Sequence, residues 1–190
     1  MFTNGTSGSR GARWALLVLG LCGPALAATP VPEYAVKAAL VYKISKFVRW
    51  PDGAFAANGG NLHVCIVGRD DFGNDIEALA GQRLQGQSIT IERLPRPEQS
   101  ASACGIVFIS RSERARLPAV LAGLAGHPVL SVSDMEGFAE QGGMVGLSTQ
   151  GGRVSFQINP GAAARAGLEI GAQLLQLATV VGEQRQEPAP

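Results

Sequence analysis

Three short apolar runs set the rhythm of the middle of the chain. Leu62, Val64, Cys65, Ile66 and Val67 run into Gly68 and then Arg69, Asp70 and Asp71. Ile106, Val107, Phe108 and Ile109 end at Ser110, and Val129, Leu130 and Val132 end at Ser133 and Asp134. Runs this short, rich in β-branched residues and closed by glycine, serine or charge, read as buried strands. Residues 88–94 alternate polar and apolar, as a half-exposed strand does, until Pro95 and Pro97 break the pattern. Helical spacing fills the gaps. Over residues 33–50, Val36, Leu40, Ile44, Phe47 and Val48 fall on one face and Lys43, Lys46 and Arg49 on the other, with Pro51 as the stop. A short helix over 74–79 and a longer one over 112–124 follow, the latter kinked or divided at Pro118 and ended by Gly126.

The last third reads differently. Residues 144–147 and 153–158 flank Gly151-Gly152, which predicts an antiparallel hairpin. Asn159 is a candidate N-cap with Pro160 at the first helical position. An amphipathic helix over 168–181, with Ile170, Leu174, Leu177 and Val181 in one stripe, closes the domain. The fold class expected is α/β: one domain, a mixed but mostly parallel central sheet flanked by helices, and a C-terminal antiparallel hairpin and helix.

The N-terminus bears on where the chain works. Arg10 and Arg13, the apolar run 14–21 and Ala25-Leu26-Ala27 have the layout of a cleavable secretory signal over residues 1–27. The apolar run is too short to span a bilayer, which takes about 20 residues. Bulky Leu21 before Cys22 argues against a lipidation signal. The expectation is an exported domain over 28–182 and a polar, disordered tail over 183–190. Without Arg10 and Arg13 the chain keeps 14 basic and 15 acidic residues, a net charge of −1, which leaves no electrostatic footprint for nucleic acid. In an oxidising compartment Cys65 and Cys104 are most simply a structural disulfide; two buried free thiols are the alternative. Closing that loop stabilises a fold by up to about 4 kcal/mol on the chain-entropy model. His63 and His127 are the only histidines, so a metal site is poorly supplied and no cofactor is expected.

Ligands of parallel sheets sit beyond the carboxyl ends of the strands. Arg69, Asp70, Ser110, Arg111 and Asp134 occupy those positions and form a candidate ligand pocket. Each is also ordinary turn or cap chemistry. The chain carries neither a phosphate-binding glycine loop with its lysine nor a G-x-S-x-G elbow.

Taken in order, the residues resemble the YfiR family of periplasmic regulators. The likeness runs from Tyr34-Ala35-Val36-Lys37-Ala38-Ala39-Leu40 and Lys46-Phe47-Val48-Arg49-Trp50-Pro51, through Cys65-Ile66-Val67-Gly68-Arg69-Asp70, Cys104 and Val107-Phe108-Ile109-Ser110. It continues over Leu130-Ser131-Val132-Ser133-Asp134, Gly142-Gly143-Met144-Val145-Gly146-Leu147 and Val154-Ser155-Phe156-Gln157-Ile158-Asn159. The resemblance implies a non-enzymatic, periplasmic repressor. Such a protein binds the periplasmic sensor region of an inner-membrane GGDEF diguanylate cyclase, lowers cyclic-di-GMP synthesis and is released by an OmpA-like outer-membrane lipoprotein. It also implies a Cys65–Cys104 bridge and makes a homodimer a candidate assembly. A second cysteine pair near the hairpin, found in a better-known member, is absent here. The expected partner contacts are Lys43, Lys46 and Arg49 on the basic side of the first helix, with Phe138 and the Gly142-Gly143 approach to the hairpin as secondary candidates. The competing reading is a periplasmic small-molecule binding module using the strand-end residues.

Overall fold

The computed structural model describes Met1, residues 32–94 and residues 104–182. The expected signal over 1–27, the prolines at 95 and 97 and the tail over 183–190 lie outside the described residues.

Helix α1 (Glu33–Ser45) leads into a two-residue strand β1 (Val48–Arg49). Four strands follow: β2 (Leu62–Val67), β3 (Arg83–Leu84), β4 (Gln87–Leu94) and β5 (Ile106–Ile109), of which β2 and β5 are buried and β4 half-buried. A 3-10 turn over Arg111–Arg116 runs into α2 (Leu117–Leu124), so the division at Pro118 takes the form of two pieces. Then come β6 (Leu130–Ser133), the hairpin β7 (Val145–Gln150) and β8 (Arg153–Ile158), α3 (Pro160–Arg165), β9 (Glu169–Ile170), α4 (Ala172–Leu175) and β10 (Thr179–Val180).

One eight-stranded sheet has the order β10-β8-β7-β6-β5-β2-β4-β3. Its centre is parallel: β4, β2, β5, β6 and β7 run the same way, with β6 joined to β7 at Val132↔Val145 and Ser133↔Gly146. Antiparallel partners sit on either side, β3 beside β4 and β8 beside β7. Strand alternation divides the core in two. Val64, Ile66, Ile106, Phe108, Leu130 and Val132 face a layer made by α1, the 3-10 turn Asp75–Leu79, α3 and α4. Cys65, Val67, Val107 and Ile109 face α2, Met135 and Phe138. Burial on both faces is why these strands read as unbroken apolar runs.

Two helical expectations fail. The first helix stops at Ser45, not Trp50, because residues 48–49 are taken into a separate two-stranded sheet, with Val48↔Ile170 and Arg49↔Glu169 paired and the Gly171 N–H donating to the Phe47 carbonyl. The buried face of α1 is accordingly Lys37, Ala38, Val41, Ile44 and Ser45, while Phe47 is 39% exposed. The second failure is the helix expected over 168–181. Gly167 at φ +73° and the extended Gly171 interrupt it, β9 is claimed by β1, and the β-branched residues Thr179 and Val180 pair with Gln157 and Ile158 of β8. Leu177, placed in the buried stripe, is 74% exposed. In both cases strand pairing at long range overrides a local helical pattern.

Candidate functional site

The carboxyl ends of β2, β5 and β6 bring charge together, but in two groups rather than one pocket. On the β2 side, Gly68 at φ +90° turns the chain so closely over the next element that a Cβ there would sit 2.5 Å from Ser112 Oγ. The Arg69 backbone N–H donates to that same hydroxyl at 2.9 Å. Asp70 Oδ1 accepts from the Phe72 and Gly73 N–H groups, and its Oδ2 accepts from Arg93 Nε at 2.7 Å. Arg93 also holds Glu77, and these two carboxylates, Asp70 first, raise the Arg93 pKa above its ordinary value. Arg69 turns to Asp71 at 3.1 Å.

The second group is built on Asp134, whose side chain is 1% exposed. Its Oδ2 accepts from Lys37 Nζ at 2.7 Å, Arg111 Nη2 at 2.8 Å and Tyr34 Oη at 3.0 Å. Lys37 is fully buried on α1 and also pairs with Glu33, one turn earlier. Its ammonium lies 4.4 Å from the centre of the Tyr34 ring, within cation–π range. Hydrogen bonds from Lys37 and then Thr149 hold Glu33 below the usual carboxylate pKa. Burial, and next the Asp134 charge, push the Tyr34 phenol up. A buried lysine is tolerable only when paired this way. The network fastens the first turn of α1 to the end of β6.

The five strand-end candidates are thus not gathered at one point. Ser110 is fully buried and caps its own turn, accepting from the Ser112 N–H. Asp70 belongs to the Arg93 group, Arg69 pairs with Asp71 and reaches Ser112 through its backbone N–H, and of the five only Arg111 and Asp134 bond each other directly. Phe138, expected at a partner contact, is 0% exposed. Its ring fills the second core against Met135, and a Cβ on Gly143 would fall 2.1 Å from it. The residues sequence reasoning missed are Lys37, Glu33 and Tyr34. Their signal was a lysine on the helical face of Val41 and Ile44, with a glutamate four residues before it and an apolar strand ending in aspartate elsewhere.

Beside Asp134 lies an open groove of about 720 Å³, bounded by Arg111, Arg114 and Glu136 and by Ser148 and Ser155 of the hairpin. The buried Asp134 Oδ1 has no hydrogen-bond partner among the described residues. A third charged region lies at the far end of α1. Lys43, Lys46 and Arg49 are exposed there, as expected, though only Lys43 is on the helix itself.

Cys65 and Cys104 are joined, with Cα atoms 6.0 Å apart, and both are buried between β2 and α2. The bridge ties β2 to the entry of its neighbour β5. No helix among the described residues is long and apolar enough to cross a membrane.

The chain is a mixed, mostly parallel α/β domain stapled by a buried disulfide, with its strand-end charges mostly paired internally. Residues 34–179 match the YfiR/HmsC-like family, and the chain belongs to that family. Its members are periplasmic, non-catalytic regulators of cyclic-di-GMP signalling, and a disulfide fits an oxidising compartment. The chain is also similar to a solved structure of the ABC domain in complex with L-Trp from Streptococcus pneumonia, with 10% identity and a TM-score of 0.49. That similarity covers 73% of this chain and 60% of the other.

Proposed function

We propose that the protein is a repressor that binds the periplasmic sensor region of an inner-membrane GGDEF diguanylate cyclase and holds cyclic-di-GMP synthesis low. An OmpA-like outer-membrane lipoprotein, by sequestering it, releases the cyclase. The observation that carries this reading is the family match over nearly all of the described fold. The internal pairing of the strand-end charges is consistent with it, since a regulator of this kind needs an exchangeable protein surface rather than a reactive pocket. The test is affinity capture of the oxidised, mature protein against detergent-solubilised inner membranes. One GGDEF-containing membrane protein should be enriched, and its cyclase activity should fall as the bait is titrated. A well-folded bait that enriches no such protein refutes the proposal.

A second reading, a small-molecule binding module, is favoured by one feature: the unpartnered Asp134 Oδ1 beside the half-exposed Arg111 in the 720 Å³ groove. It predicts a rise in melting temperature with a ligand that both accepts and donates hydrogen bonds, lost in Arg111→Ala.

A further inference from the structure

The exposed end of α1 differs from an ordinary solvated basic face in three respects. First, an aromatic ring stands in its middle. Phe47 follows Lys43 by four residues, is flanked by Lys46 and reaches solvent over 39% of its surface. Beside it lies a cleft of about 380 Å³, walled by Arg49, Gln85 and the β1–β9 pair.

Second, the cations are largely uncompensated. Lys43, Lys46 and Arg83 make no ion pair among the described residues. Lys46 is held 4.3 Å over the Tyr42 ring, and Tyr42 Oη donates to the backbone carbonyl of Arg83, which sets β3 beside this end of α1. The one carboxylate in the cleft, Glu169, meets Arg49 at 3.3 Å with both side chains some three-quarters exposed or more. An ion pair that exposed is weak and exchanges readily for another carboxylate. The mature chain as a whole carries −1, so this excess of positive charge is local.

Third, the backbone beneath is held in an unfavourable conformation. Gln85 is the one described non-glycine residue at positive φ, +49°, in the turn between β3 and β4, where Asn, Asp or Gly is the usual occupant. Its side-chain amide donates to the Val48 carbonyl, which fixes β1 and with it Phe47 and Arg49. Strain kept at a surface position points to a site worth holding in place.

We propose that Lys43, Lys46 and Arg49, with the exposed Phe47 among them, form the docking surface for an acidic segment of the partner protein that packs against Phe47 at the cleft. Aromatic and arginine side chains at the centre with charge around them is the composition of an interaction hot spot. The inference rests on the reading that the chain acts by binding another protein, and it adds where and by what chemistry.

The test places the photo-crosslinker p-benzoylphenylalanine at position 47 of the exported, full-length protein in its own cells. A control probe replaces Ser148, near the opposite end of α1, where the neighbouring Thr149 bonds Glu33. Both variants are checked for wild-type melting before use. The account expects a protein adduct from position 47 whose crosslinked peptide, mapped by mass spectrometry, is rich in Asp and Glu. It also expects the yield to fall at least about tenfold in Lys43→Glu/Lys46→Glu, since like charges facing each other across an interface oppose binding. No adduct at 47, an adduct only at 148, or an adduct to lipid, to a second copy or to a non-acidic segment overturns the proposal. The two claims fail separately. A cyclase crosslinked only through 148 removes this surface and leaves the function standing. An acidic segment of some other protein crosslinked through 47 does the reverse.

Discussion

The two ends of α1 are both rich in charge, yet one pairs and buries it and the other leaves it in solvent. At the N-terminal end, Lys37, Arg111 and Tyr34 converge on one oxygen of Asp134 and Glu33 pairs with Lys37, with the Lys37 and Asp134 side chains out of contact with water. At the C-terminal end, Lys43, Lys46 and Arg49 stand in solvent, with an exposed phenylalanine, Phe47, among them in the chain. Desolvation explains the difference. A buried charge is costly unless paired, so most of its capacity goes to attachment within the fold. An exposed charge costs nothing to keep and remains available. The comparison teaches that charge density alone does not mark a docking surface; what sets the proposed one apart is charge left unpaired.

The largest break in this comparison should come from Asp134→Ala. It leaves the buried Lys37 ammonium with Glu33 alone and should destabilise the fold by about 3–5 kcal/mol, read as a lower urea midpoint. Lys37→Met combined with Asp134→Leu should cost clearly less than the two single changes added, because no orphaned charge remains. Reducing the disulfide, or Cys65→Ser, should cost up to about 4 kcal/mol through the freed unfolded chain. Gly143→Ala should cost about 1–3 kcal/mol, since its methyl group meets the Phe138 ring.

pH sharpens the same contrast. Glu33 is lowered in the folded state, so the stability it contributes is present above its ordinary value of 4.5 and is lost as pH falls through the folded value. Tyr34 is raised, so the unfolded chain gives up its proton first, and stability should fall as pH rises past 10. Thr149→Val removes one of the two hydrogen bonds on Glu33 and should shift the acid limb towards higher pH. The smallest effect belongs to the other end of α1. Lys43→Glu/Lys46→Glu should change stability by no more than about 0.5 kcal/mol while abolishing partner binding.

The parallel core was legible because its strands are buried on both faces, so Leu62–Val67, Ile106–Ile109 and Leu130–Ser133 announce themselves without a partner in view. The hairpin and the Asn159 cap were legible because their signals are local: Gly151-Gly152 for the turn, and a side chain that accepts from the Ala162 N–H three residues on. What could not be read was long-range pairing of short segments. Val48–Arg49 and Glu169–Ile170 form strands only because they meet each other, and Thr179–Val180 only because β8 is beside it. The site was half legible for the same reason. Lys43, Lys46 and Arg49 are exposed as the helical pattern implied, whereas Phe47 and Phe138 exchanged expected places, one reaching solvent and the other filling the core. Asp134 and Arg111 were marked as strand-end residues, but their link to Lys37 spans 97 residues and has no local signature.

The central claim, that this YfiR/HmsC-like chain represses a membrane diguanylate cyclase, is tested most directly by intracellular cyclic-di-GMP in cells lacking it. The account predicts that the level rises on deletion and returns to wild type when the exported protein is restored, but not when Lys43→Glu/Lys46→Glu is supplied at equal abundance. A level that does not change on deletion, in cells that express the chain, contradicts it.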